Sequence, residues 1–358
     1  MFGYPEGIRF SSLYEPVAEE GGFRFVHGAA VHGYGESVFM SFAFNAGDEN
    51  SLTETLRIMR SLDGGDSFLP FQTISDDDYA VSHGSYFEIA CKLFLAVPFF
   101  RGLGTPLCTQ DGVRMIRFTG LHTRFYELQG DRFVPNGAVI PDFWPLGPAQ
   151  KMPDGSSLMG GCDGNWQAAV MRIDKDGKGL VLNLPIEGKA YSECNVINLG
   201  DDVCVVMRNQ TSVGSRSLPH PAICMSHDGG LTFDRAFEAS FLMVPSKPGS
   251  GSLDDGHFYL FYNYKDSSPF SREMLVLGVG HSFSASSEPV FDDVFLIDED
   301  PDEKWVCYPY GTVVGDQLFV VYSIQSRGAM AHDGKRMNHN DIKLARIPIS
   351  SIIRSNHS

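Results

Sequence analysis

Residues 61–68 read SLDGGDSF and residues 226–233 read SHDGGLTF, so one eight-residue pattern, Ser-x-Asp-Gly-Gly-x-Ser/Thr-Phe, is spelled twice, 165 positions apart. An internal repeat limits the available folds more sharply than composition does, because a unit that cannot bury its own apolar face has to stack on copies of itself. Each box reads as a turn between two strands. Asp63 and Asp228 are expected to accept hydrogen bonds from backbone N–H groups within the turn. Gly64-Gly65 and Gly229-Gly230 supply positive φ, and Phe68 and Phe233 lead the chain back to the apolar interior.

The boxes belong to a fainter repeat of six strand pairs, starting at Val26, Val81, Trp144, Tyr191, Pro245 and Cys307. Each pair has a small-residue strand, a turn rich in Gly, Asp or Asn, and a second strand of β-branched and aromatic residues. Successive starts lie 55, 63, 47, 54 and 62 residues apart. That loose period suits one four-stranded propeller blade with elaborated loops. The stretches that follow, such as LRIMRSLDGGDSFLPFQTI and AICMSHDGGLTFDRAFEA, supply a third and fourth strand. The expected architecture is all-β: a single six-bladed β-propeller of four-stranded antiparallel blades spanning 1–358. A ring leaves no exposed edge, so an N-terminal strand around Arg9–Tyr14 is expected to close the last blade against IKLARIPIS.

The chain carries 44 acidic and 28 basic side chains, a formal charge of -16, and no Lys/Arg run able to track a phosphate backbone, which argues against nucleic acid as a partner. No apolar stretch reaches the length of a membrane span, and MFGYPEGIRF lacks the layout of a secretory signal, so a cytoplasmic protein is expected. The seven cysteines form no CxxC pair, and most sit in apolar strand-like runs and read as buried thiols of a reducing compartment. The acidic run SDDDYA at 75–80 reads as a solvated face rather than a calcium loop, and neither a metal nor a cofactor is implied. Nothing in the sequence fixes an oligomeric state.

The two boxes, with a degenerate copy at RIDKDGKG, resemble the Asp-box of sialidases and BNR-repeat proteins, and the resemblance extends over nearly the whole chain at blade level. It implies a six-bladed propeller whose chemistry gathers at the starts of the first strands and in the loops after the second strands. In sialidases three arginines grip a carboxylate, a Tyr activated by Glu attacks the anomeric carbon, and an Asp is the acid. By resemblance, YSECNVINLGDDVCVVMRN places the Glu role on Glu193 and an arginine role on Arg208. SREMLVLGVGHS places another arginine role on Arg272. YPYGTVVGDQLFVVYS places the nucleophile on Tyr308, with Tyr310 as the alternate.

The pattern departs from the family at the first blade, where FVHGAAV sets His27 about where an arginine would stand. For the acid, Asp48 and Glu49 are placed only by position. The chain is therefore read as a divergent member. His83, at the equivalent place in the second blade, joins His27 as a candidate acid–base group. Trp144 is a candidate platform for a sugar ring, and Asn45, Asn50 and Lys247 are candidate substrate contacts. Arg336 and His339 are expected in a long loop beside the last blade. The leading expectation is an exo-acting glycosidase for a terminal acidic or decorated sugar, with a carbohydrate as partner. Elimination across a uronic acid, which the histidines suit, and non-catalytic glycan binding stand as alternatives.

Overall fold

The computed structural model describes residues 2–14, 25–45, 49–110, 112–212, 218–253, 256–267, 271–300, 305–330 and 336–353, the side chains of 14, 326–330 and 336–340 excepted. Six antiparallel sheets follow one another along the chain. Blade 1 comprises Phe25–Tyr34, Ser37–Asn45, Thr55–Ser61 and Leu69–Ile74, from the inner to the outer strand. Blade 2 has a divided inner strand, Ala80–Val81 and Ser85–Ile89, then Lys92–Phe100, His122–Gln129 and Arg132–Pro141. Blade 3 is divided likewise, Trp144–Pro145 and Gln150–Lys151, then Ser157–Cys162, Ala168–Ile173 and Gly179–Asn183.

Blade 4 runs Tyr191–Leu199, Asp202–Asn209, Ala222–Ser226 and Phe237–Glu238, and blade 5 runs Gly249–Ser252, Phe258–Asn263, Met274–Gly280 and Asp293–Glu299. In blade 6, Trp305–Val314, Gln317–Met330 and Arg336–Pro348 are completed by the N-terminal strand Arg9–Tyr14, with Arg9 opposite Arg346.

The second strands explain the core. SVFMSFAFN is buried at every position, and KLFLAVPFF at all but the first, rather than on alternate residues. A strand with a neighbouring blade on each face has no solvent side, so it reads as a continuous apolar run. Accordingly the apolar clusters lie between blades. One joins Val38, Phe39 and Phe42 of blade 1 to Leu93, Leu95 and Phe99 of blade 2 and Phe319 and Val321 of blade 6. Others link blades 3 and 4, 4 and 5, and 5 and 6.

The repeated boxes fasten blades together. Both lie between the third and fourth strands, as expected, and Asp63 and Asp228 accept from the amides of Ser67 and Thr232, each at 2.9 Å. The degenerate copy makes the same turn, Asp174 accepting from the Lys178 amide at 2.9 Å. A Cβ on Gly65 would lie 2.7 Å from Phe319 of blade 6, and one on Gly230 would lie 2.1 Å from Leu158 of blade 3. The preceding blade's third strand adds an arginine each time: Arg346 bonds Asp66, and Arg172 donates to the Gly229 carbonyl at 2.8 Å. These glycines are required because the neighbouring blade fills the space a side chain would need.

Three inner strands carry a β-bulge at the same level. The register shifts between His27 and Ala30 in blade 1, between Ser192 and Cys194 in blade 4, and between Cys307 and Tyr310 in blade 6. The bulged residues, Gly28, Glu193 and Tyr308, have φ of 59°, 38° and 59°. Bulges re-aim a side chain that regular pleating would direct elsewhere. Positive φ at Glu and Tyr costs energy that only the surrounding packing can sustain.

Candidate functional site

Glu193 of blade 4 and Tyr308 of blade 6 are the side chains redirected by those bulges, and each is bonded to an arginine. Arg208, near the end of its strand, donates to Glu193 Oε2 at 2.5 Å, and its guanidinium lies 5.0 Å from the Trp166 ring. Arg272 donates to the Tyr308 hydroxyl at 2.6 Å and to the Pro245 carbonyl at 2.8 Å, with the Trp305 ring 4.9 Å from its guanidinium. All four charged or phenolic residues are buried to within a tenth of their surface.

Gly28, the third bulge residue, has no side chain, and the space beside it is taken by His83. A Cβ on Gly28 would fall 2.1 Å from the His83 ring. The break at Ser82–Gly84 in the inner strand of blade 2 carries that imidazole inward. His27 completes the row: its ring meets Tyr308 edge-on at 4.5 Å and His83 edge-on at 5.6 Å, and its Nε2 lies 3.4 Å from Glu49. The contacts form two chains, Trp166–Arg208–Glu193 and His83–His27–Tyr308–Arg272–Trp305. Beside them a narrow cleft is lined by His27, Glu49, Asn50, Glu54, His83 and Glu193, among others. A larger groove near Phe2 and Tyr264 is lined by neither arginine nor histidine, so chemistry rather than size selects the cleft.

The electrostatics follow from burial and charge. Burial acts to raise the Glu193 carboxyl, but Arg208 chiefly, then Arg272 and Lys247, outweigh it and hold it below its ordinary value. Tyr308 is pushed up to about 12 by burial, against the pull of Arg272. Burial lowers both histidines, His83 more strongly, so both are neutral near pH 7. The Cys162 thiol in the cleft wall is raised well above its usual value by burial and stays protonated.

Of the residues expected from sequence, Glu193, Arg208, Arg272, Tyr308, His27, His83 and Glu49 come together here. Asn50 lines the cleft with φ 62°. Trp144 also lines it but is 4 % exposed, stacked on Phe100 and donating its Nε1 hydrogen to the His83 carbonyl at 3.2 Å. Trp166, less buried, offers the more open ring. Lys247 lies beneath the site, its Nζ donating to the carbonyls of Pro309 at 2.8 Å and Leu146 at 3.2 Å. It thereby ties blade 5 to blades 6 and 3. Burial pulls its ammonium down to about 8, against the attraction of Glu193. Tyr310 is turned away into the wall of the channel, where its hydroxyl accepts from the Tyr86 amide at 3.3 Å.

Asp48 lies outside the described residues. Arg336 and His339 sit on the third strand of blade 6, paired with Met330 and Ser326, rather than in a loop. The hairpin extends well past the length expected, because its two strands stay paired up to Met330 and Arg336.

Sequence reasoning missed Glu54. Asn45, expected to contact substrate, instead donates to Glu54 Oε2 at 3.1 Å, and Ser82 provides a second hydrogen bond. Glu54 is 4 % exposed, and burial pushes its carboxyl up to about 7 against those bonds. Nine residues beyond a strand end, in the polar run NSLTET, it reads as surface, and only the approach of Ser82 from blade 2 makes it interior.

No protein-family profile and no curated protein matches the chain. Solved structures do. A protein of unknown function from Dyadobacter fermentans superposes with TM-score 0.68 at 13% identity, covering 96% of this chain and 100% of that one. The NanB sialidase of Streptococcus pneumoniae gives 0.67 at 10% identity, over 96% of this chain and 71% of that chain. The leech intramolecular trans-sialidase gives 0.67 at 11%, over 98% and 71%. At such identities the likeness is one of fold: the chain is a six-bladed β-propeller, the architecture it shares with these structures.

Proposed function

We propose that the chain is an exo-acting glycosidase for a terminal acidic sugar, with Tyr308 as nucleophile. The observation that carries this reading is the pairing of Arg208 with Glu193 and of Arg272 with Tyr308, the first pair joined to the cleft through Glu193 and the second through His27. Guanidiniums suit a carboxylate, which they bind through paired N–H donors, and the N–H groups of Arg208 and Arg272 not held by Glu193, Tyr308 and Pro245 are the ones this reading assigns to it. A phenol approaches an anionic sugar without the repulsion a carboxylate nucleophile would meet, and Arg272 stabilises the negative charge on its oxygen as its proton leaves. Glu193, kept ionised by its cationic neighbours, is the acceptor for that proton. Glu54, protonated at and below about pH 7, gives its proton to the departing oxygen as the bond to the anomeric carbon breaks. It then takes one from the water that adds to the anomeric carbon as the bond to Tyr308 breaks, and Glu193 returns its proton to the Tyr308 oxygen.

Elimination across a uronic acid is the second reading, favoured by one contact, the neutral His27 ring against Tyr308 with Glu49 behind it. Purified protein screened against acidic oligosaccharides, read by mass and by ultraviolet absorbance, tests both. Hydrolysis adds the mass of water and no chromophore. Elimination yields products absorbing near 235 nm without gain of mass. Retention of a sugar with no change of mass by any route overturns both and leaves a glycan-binding propeller.

A further inference from the structure

We propose that blade 5 carries a binding site for a divalent transition metal, built from His257, His281 and Asp292, at the end of the propeller opposite the cleft. His257 directly precedes the second strand of blade 5 and His281 directly follows the third, so both lie at the same end of the antiparallel pair. The cleft end is marked by Asn263, at the far end of that second strand, whose amide donates to the carbonyls of Val306 and Arg272. Six residues of strand separate the two ends, about 20 Å at the usual rise.

The donor geometry is close to what an ion needs. One ligand atom from each of His257, His281 and Asp292 lies within 4.8 Å of the other two. Bonds of 2.0–2.2 Å in a tetrahedral site put ligand atoms about 3.4 Å apart, so only small side-chain rotations are required. The rings of His257 and His281 are 5.6 Å apart, inclined at 54°, and His281 Nδ1 lies 2.7 Å from Asp292 Oδ2. An ion replaces that hydrogen bond: the imidazole proton moves to the other ring nitrogen or to solvent, and both freed lone pairs turn to the metal.

The surroundings support a cation. The three residues line a cavity where Asp293 adds a second carboxylate to the wall and Ile352 and Ile353 close one side with apolar surface. Two imidazoles and a carboxylate are borderline donors that select zinc or its first-row neighbours over calcium or magnesium, which prefer all-oxygen shells. With water as fourth ligand, the ion would tie the second, third and fourth strands of blade 5 at their ends. In sequence the ligands are 24 and 11 residues apart and form no motif.

The test uses the full chain with its exposed thiols, Cys91 and Cys108, alkylated so that they cannot bind metal. Zinc is titrated calorimetrically, and cobalt(II) is followed by its visible absorption, against His281→Ala and Asp292→Asn. Both positions are exposed, so folding is expected to persist, as circular dichroism will check. The expected result is one ion per chain and a loss of affinity of about tenfold or more in each variant, with glycan turnover at the distant cleft unchanged. No uptake in the micromolar range, or variants that bind as the parent does, overturns the site.

Discussion

Replacing Arg208 by Met tests whether Glu193 is held ionised by its neighbours, because it strips the carboxylate of its bonded partner without changing the bulk of the site. Both side chains are nearly enclosed, 10% and 12% exposed. Breaking a pair of this kind costs about 3–5 kcal/mol, since a charge is left without its partner. Arg272 and Lys247 continue to act on Glu193, so the lower end, about 3 kcal/mol, is expected. With a denaturation slope near 3 kcal/mol per molar urea, that moves the midpoint by about 1 M.

The pH dependence gives the sharper check. In the parent the Glu193 carboxyl lies below its ordinary 4.5, so its contribution is fully present above 4.5 and is lost as pH falls through the depressed value. With Arg208 gone, burial raises the carboxyl above 4.5, and the sign reverses: the variant loses stability as pH rises from 4.5 through the new value. Urea titrations at several pH values on Arg208→Met, and on the same chain with Glu193→Gln added, measure this. The neutral amide should abolish the reversed slope. A penalty under about 0.5 kcal/mol, or one that does not change with pH, refutes the electrostatic account.

Glu54→Gln should remove a pH-linked cost of about 3 kcal/mol, because a carboxyl raised from 4.5 to about 7 loses stability as pH climbs through that window. The same variant should turn over glycan poorly at every pH, whereas the parent declines above about pH 7. Gly28→Ala puts a Cβ into the His83 ring at a φ of 59°, and about 2–4 kcal/mol of stability is expected to go, part of it recovered when His83→Ala is added. An unchanged urea midpoint would show that the ring does not occupy that space. Asp228→Ala removes the acceptor of the Leu231 and Thr232 amides, and their hydrogen exchange should quicken while that of the central strands stays slow.

The ring was legible because its signals are local and recur. The boxes at Asp63 and Asp228 name their own turns, and the apolar second strands stand out since both of their faces are covered. The partners of the boxes were hidden: Phe319 and Leu158 lie in other blades, and no local pattern links them to Gly65 and Gly230. At the cleft, Glu193, Arg208, Arg272 and Tyr308 were found by resemblance, while the bulges that aim Glu193 and Tyr308 were not, as a positive φ at Glu or Tyr leaves no mark on the sequence. Trp144 stood out for its place at a strand start, although that place buries it. Glu54 escaped notice because its interior position depends on Asn45 and Ser82 rather than on an apolar setting of its own. The extended hairpin around Arg336 reads as a loop because RMNHND is polar apart from Met337, and backbone pairing does not require apolar residues.

The account rests most heavily on Tyr308 as the reacting group in a cleft that recognises its sugar by other residues. Affinity and turnover measured side by side on one processed acidic glycan, for the parent and for Tyr308→Phe, test this most directly. The account predicts that the variant binds the glycan within a few-fold of the parent and does not turn it over. Turnover at the parental rate would contradict it.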